Sequence, residues 1–203
     1  MTLQIARRVV SQGDLARAET LLLEAVRMLK GLNDRARLCE AQRSLAELYV
    51  VLGRLHIAQD EVEQGEKLLR EALRTFKGLR DRAHLCEAQR SLAQLLAAQG
   101  RLEEAERLAL EARETVGNED KMSISTTKLA LGTVRAAQRR DEEAEQLMRE
   151  AVDGLEAFQM YSPEREALRV LAGFLRDRGR EDEAAVYEER LVELLARSAA
   201  PIA

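Results

Sequence analysis

The chain has 203 residues, of which 33% are charged, with a formal net charge of −4 and an isoelectric point near 5.5. That acidic balance lacks the basic footprint of a general nucleic-acid binder, and no apolar run reaches the roughly 18 residues of a membrane-spanning helix. Hydrophobic residues make up 46% but aromatics only 3%, with no Trp and two prolines, so Leu, Ala and Val fill the apolar positions and the chain is expected to be all-α.

The start, Met-Thr-Leu-Gln-Ile-Ala-Arg-Arg, carries no signal-peptide apolar core, and two cysteines suit a reducing compartment. A cytoplasmic protein is therefore expected. In chain order, five segments share one pattern, in which a helix with a Leu-Ala core leads through a Gly turn to a second helix with small residues at helical spacing. The first copy holds Ala6, Val9, Gly13, Leu15, Ala18, Leu22 and Ala25. Its first helix is short, which implies a naturally truncated end or a piece of a larger protein.

The second copy holds Leu45, Ala46, Tyr49, Gly53, Leu55 and Ala58, with Leu69 and Ala72 further on. The third is the clearest: Ala88, Leu92, Ala93, Leu95 and Leu96, then Gly100-Arg101-Leu102, then Ala105, Leu108, Ala109 and Ala112. Gly100 suits the left-handed residue that ends a helix. The string Leu-Cys-Glu-Ala-Gln-Arg-Ser-Leu-Ala occurs at 38–46 and again at 85–93. Fixed-period identity of this kind marks a helical-repeat solenoid.

Taking Ala6, Ala46, Ala93, Gly132 and Ala172 as the small residues of the first helices, the spacings are 40, 47, 39 and 40. The extra seven residues are close to two helical turns. They predict one long helix over roughly 55–77, with Gly65 as a soft spot costing about 1 kcal/mol relative to Ala.

The fourth copy holds Leu131, Gly132, Ala144, Leu147, Met148 and Ala151, with Arg139 in place of the turn glycine. Gly117-Asn118-Glu119-Asp120 reads as the turn before it. The fifth holds Leu171, Ala172, Leu175, Gly179, Ala184, Leu191 and Leu194, with Ser162-Pro163 as a helix-start pair. One domain over 1–197 is expected, with hairpins at about 2–31, 33–78, 80–117, 120–159 and 162–197 and a frayed tail at 198–203.

These residues, and the run Leu92-Ala93 to Gly100-Arg101-Leu102-Glu103-Glu104-Ala105-Glu106 above all, resemble the tetratricopeptide repeat (TPR) family. The long repeat is similar to the branch found in kinesin light chains and bacterial regulators. The resemblance implies a right-handed α-solenoid of about five antiparallel helical hairpins whose first helices line a concave groove. It implies a protein or peptide partner, and the residues themselves offer no catalytic set and no cofactor motif, so no catalysis, cofactor, membrane or nucleic-acid partner is expected. The terminal proline of the family motif is missing from most copies.

On that reading, the groove-facing positions are Glu40, Arg43, Ser44 and Glu47, then Glu87, Arg90, Ser91 and Gln94, then Glu166 and Arg169. Arginines stacked in this way would hold the carboxylates of an acidic peptide. The competing reading is that Glu40–Arg43 and Glu87–Arg90, three apart on a helix, pair with each other. Copy four interrupts the ladder with Thr126, Leu129 and Thr133. Arg with Ser, Glu or Gln, and no Asn, also departs from the residues with which some family members clamp a C-terminal carboxylate.

Cys39 and Cys86 occupy equivalent places in neighbouring repeats, too far apart for a disulfide, and are expected as free, half-buried thiols. His56 and His84 stand at non-repeating places without a metal-binding cluster, and Ser44 and Ser91 have no nearby His base. The last helix offers Val186, Leu191, Leu194 and Leu195 as a stripe for end-docking or homodimerisation. The function expected is a non-catalytic adaptor or scaffold binding a peptide or helix in the groove. The alternative is a ligand- or peptide-sensing regulatory domain cut from a larger bacterial regulator.

Overall fold

The computed structural model describes residues 9, 13–32, 35–58, 61–117, 120–159 and 161–199. Over the described residues the regular structure is helical: α1 Leu15–Gly31, α2 Arg35–Ala58, α3 Val62–Leu79, α4 Arg82–Ala98, α5 Leu102–Val116, α6 Lys121–Ala137, α7 Asp141–Ala157, α8 Tyr161–Asp177 and α9 Glu181–Ala199. Ala6, the Asn118-Glu119 part of the Gly117–Asp120 turn, the His56 side chain and the tail beyond 199 lie outside the described residues. Two compact units divide the chain within α4, one ending at Leu92 and one starting at Ala93.

Local chemistry fixes the helix ends. The Asp14 carboxylate accepts from the Arg17 N–H at 3.1 Å, and Asp120 accepts from the Ser123 N–H at 3.0 Å. Each satisfies a donor that the first helical turn leaves open. Helices α4, α6 and α8 end in one motif. The N–H groups of Arg101, Arg140 and Arg180 bond to the carbonyls of Leu96, Arg135 and Leu175, across a left-handed residue. That residue is Gly100 (φ 76°), Arg139 (φ 61°) and Gly179 (φ 72°). The turn at Arg139 therefore forms without glycine, at a cost of about 1 kcal/mol for a left-handed non-glycine residue. Helix α8 begins at Tyr161, one residue ahead of Ser162-Pro163. Pro163 consequently sits in the first turn, where its missing N–H costs nothing.

In the first unit, α2 packs on both α1 and α3. The sequence-based expectation of one helix over 55–77 fails: α2 continues through Gly53-Arg54-Leu55 to Ala58, and α3 starts at Val62. Gly53 is not among the glycines with positive φ; it is the point where α2 and α3 touch. A Cβ on Gly53 would lie 2.9 Å from Leu69 Cγ and 3.1 Å from the Gly65 carbonyl, and a Cβ on Gly65 would lie 2.7 Å from the Gly53 carbonyl. Gly65 is a crossing point that only glycine fills.

This moves the register of the second copy. Four-residue steps separate the end of each first helix from the start of its partner: 58 to 62, 98 to 102, 137 to 141 and 177 to 181. Gly53 and Gly65 thus correspond to Gly132 and Ala144, which make the same approach, the Gly132 Cβ position lying 3.1 Å from the Ala144 carbonyl and 3.0 Å from Met148 Cγ. Helix α2 has 24 residues against 17 in α4, α6 and α8. The seven extra residues precede the crossing and carry the Leu38–Ala46 string two helical turns, about 10 Å, farther from its turn than the Leu85–Ala93 string is from its own.

In the second unit, α7 packs between α6 and α8, and α9 closes on α8. The core there joins Met148, Val152 and Leu155 to Leu168, Leu171, Phe174 and Leu175, with Leu194 from α9. Ala144, Ala151, Ala167 and Ala184 are all at most 1% exposed. Small residues at those places let the helix backbones come close enough for the large ones to interlock.

Candidate interaction surface

In the first unit, the expected groove residues are engaged in a set of polar contacts between α2 and the region from Asp81 to Ser91. Arg43 Nε lies 2.8 Å from Asp81 Oδ2, and Glu47 Oε1 lies 3.4 Å from His84 Nε2. His84 Nδ1 is 3.0 Å from Asp81 Oδ1, and its ring stacks on Phe76 at 5.2 Å between centroids. Arg54 donates to Ser91 Oγ at 2.7 and 3.0 Å and sits 3.1 Å from Glu87. Burial works against the charge of Asp81, but bonds from the His84 ring and backbone N–H, with the charges of His84 and Arg43, outweigh it and hold the carboxyl below its ordinary value.

The two arginines of the repeated string stand in different surroundings. Half of the Arg43 side chain is exposed. Arg90 has its Nε enclosed without a hydrogen-bond partner. Burial lowers its pKa, with the like charge of Arg54 adding to that and Cys86 and Glu87 opposing it. Ser44 and Ser91 are both buried, Glu40 and Glu87 are half-buried, and Gln94 is half-buried on α4. Ser91 turns its hydroxyl onto the Glu87 carbonyl at 3.0 Å. Cys86 is buried while Cys39 is exposed, so the expected pair of half-buried thiols is replaced by one of each.

In the second unit, Arg169 is exposed on α8 and grips Glu166 at 2.7 Å. It lines an open cleft of about 690 Å³ between α6 and α8, which Met148 of α7 and the turn residue Arg139 also border. Ala137, Met148, Val170 and Phe174 give this cavity apolar walls, and Arg139, Arg178 and Asp177 add charge. Arg178 lies 4.6 Å over the Phe174 ring and pairs with Asp141 at 2.7 Å. Arg139 comes within ion-pair distance of no carboxylate among the described residues, but its charge joins the hydrogen bond and charge of Arg178 in lowering the pKa of Asp141. Gly173 also lines the cavity, and a Cβ there would meet nothing within 4 Å. Thr133, which interrupts the arginine ladder in the sequence, lines the cavity as well.

Sequence reasoning singles out Arg169 but not its cavity neighbours Val170, Gly173 and Phe174, and it treats Arg139 only as an irregular turn. Two signals point to them: a glycine well inside a helical pattern, and an arginine where the other copies have glycine. Arg54 is hidden in a Gly-Arg-Leu triplet that reads as a turn.

The expected end-docking stripe on α9 is divided. Leu194 is 5% exposed and belongs to the core, with Leu191 packed against it. Val186 and Leu195 are exposed, but nine residues at about 100° each put them on opposite sides of the helix. No described helix is long and apolar enough to cross a membrane.

Comparison with known proteins agrees with this architecture. Residues 85–116 match the tetratricopeptide repeat model. BtubC (BKLC) from P. vanneervenii superimposes with a TM-score of 0.66 at 19% identity, over 98% of this chain and 80% of its own. A putative kinesin light chain from Podosopora anserina with nearly identical TPR-like repeats gives 0.60 at 19%, over 98% and 96%. The apo form of RapI gives 0.70 at 14%, over 97% and 70%. None of the curated proteins matches the chain. The fold is an all-α, TPR-like repeat solenoid, and one of its repeats, at 85–116, carries the tetratricopeptide sequence pattern itself. Folds of this type generally serve as non-enzymatic protein-interaction modules.

Proposed function

We propose that the chain is an adaptor or scaffold whose second unit takes a short peptide or helical segment of a protein partner into the cavity of α6 and α8. The observation that carries this reading is the cavity itself. It is an open cleft with the volume of ordinary ligand pockets, and it sets Val170 and the edges of Met148 and Phe174 beside a charged margin at Arg139, Arg169 and Arg178. An anchor side chain surrounded by polar contacts is how small interaction surfaces concentrate their affinity. The first helices of the first unit are less suited to this role, because Arg43, Glu47, Arg54 and Glu87 already meet partners within the chain.

The test is selection of a random twelve-residue peptide display library on the whole chain, followed by binding of the selected peptides to Gly173→Trp. The substitution enters open space and fills the cavity while leaving the helical circular dichroism unchanged. Binding is expected to disappear. Peptides that bind the variant as tightly as the original would contradict the proposal.

A further inference from the structure

We infer that the cavity enclosed by α5, α6 and α7 of the second unit binds a free α-amino acid with a large apolar side chain. The cavity holds about 500 Å³, within the range of ordinary ligand pockets, and it is more enclosed than the cleft between α6 and α8. It is also a separate place. Ile124, Lys128 and Leu131 of α6 line the cavity, whereas Thr133 and Ala137 line the cleft. At about 100° per residue, these two sets stand on opposite sides of α6.

Val116 of α5, Ile124 and Leu131 of α6 and Leu147 of α7 give the cavity its aliphatic walls. Leu131 is buried, but Val116, Ile124 and Leu147 are only half-buried, so three helices leave aliphatic surface turned to one space. An aliphatic or aromatic side chain placed there takes that surface out of water, which is the main source of affinity in pockets of this kind. Helix α5 ends at the cavity in Gly117, with φ 68° and ψ −154°, a backbone conformation essentially restricted to glycine. The end of α5 therefore meets the cavity without a side chain.

The charged margin sets the head group. Of its four charged residues, Lys128 and Glu150 satisfy each other: Lys128 Nζ lies 2.8 Å from Glu150 Oε2, and Gln146 donates to Glu150 Oε1 at 3.0 Å. One charge of each sign is left. Arg113 and Glu114 are exposed at the cavity, and neither comes within ion-pair distance of a partner among the described residues. Glu114 stands in the last turn of α5, where the carbonyl end of the helix carries partial negative charge, so the two together attract an ammonium. Arg113 offers its guanidinium fork to a carboxylate. A simple acid of the same shape would meet the charge of Glu114, and a simple amine that of Arg113. An α-amino acid suits both, and its side chain enters the aliphatic space.

The test is isothermal titration calorimetry of the whole chain with L-leucine, L-methionine and L-phenylalanine, each up to about 10 mM. At least one is expected to bind. Its N-acetyl derivative lacks the ammonium, its amide lacks the carboxylate, and glycine lacks the side chain; each is expected to bind at least about tenfold more weakly. Arg113→Gln and Glu114→Gln alter exposed side chains and keep the fold, and each is expected to weaken binding about tenfold. Leu147→Trp fills the aliphatic space and is expected to abolish binding with the helical circular dichroism unchanged; should it misfold, the two glutamine variants decide. No binding by any of the three amino acids, derivatives as tight as the free amino acid, or binding within about twofold of the original in both glutamine variants would overturn the inference. Peptide binding at the cleft of α6 and α8 is expected to be unchanged in Arg113→Gln and Glu114→Gln, so either reading can fail without the other.

Discussion

Leu38–Ala46 on α2 and Leu85–Ala93 on α4 are the same nine residues in two structural settings. Ala41 and Ala88 are both fully buried, as are Ala46 and Ala93 to within 1%. Cys39, Gln42, Arg43 and Leu45 are more open than Cys86, Gln89, Arg90 and Leu92. The cause is the two extra turns of α2. Seven residues rotate a helix by nearly whole turns, so the same face stays inward, but they shift the string about 10 Å along the axis. Identity of sequence preserves the face of a residue and leaves its height, and therefore its neighbours, to be set by the turn.

The largest expected effect that tests this difference is in packing. Leu92 is 1% exposed and Leu45 is half-buried. Leu92→Ala is expected to cost about 2–5 kcal/mol, the usual range for a buried leucine, and Leu45→Ala clearly less, as measured by urea unfolding. Equal losses would break the distinction between the two settings.

Next comes the crossing that sets the height. In an open helix, Gly65→Ala would stabilise by about 1 kcal/mol. Here the new Cβ meets the Gly53 carbonyl and Ile57 at 2.7 Å each, so destabilisation by about 1–3 kcal/mol is expected. A rise in stability would remove the Gly53–Gly65 contact as the marker of the hairpin register.

The smallest effect is chemical rather than energetic. Among the two thiols, exposed Cys39 is expected to react promptly with a thiol reagent in the folded protein, and buried Cys86 only on unfolding. Two thiols reacting at one rate would mean that the two strings share one environment.

Much of the fold is legible because helical periodicity and small residues at packed positions are local signals. Ala18, Ala105, Ala144 and Ala184 are all visible as such and are buried. The register of the second copy is not legible. Gly53-Arg54-Leu55 has the letters of the Gly100-Arg101-Leu102 turn, and only tertiary contact with Gly65 and Leu69 shows that the helix runs on. The arginine ladder rests on the same assumed equivalence, and Arg43 and Arg90 part company once the heights differ. Arg169 is visible in the sequence, but its cavity depends on α6 and α8 placing Thr133, Arg139, Val170 and Phe174 around one space. No local pattern records that placement.

On the proposed reading, a partner segment enters the second unit rather than lying along the arginines of the repeated string. The most direct measurement is a nitrogen–proton correlation spectrum of the chain titrated with a display-selected peptide. The largest shifts are expected at Thr133, Arg139, Val170, Gly173 and Phe174, with Arg43, Ser44, Glu47, Glu87 and Arg90 unmoved. Shifts centred on that second group, with the cavity residues silent, would contradict it.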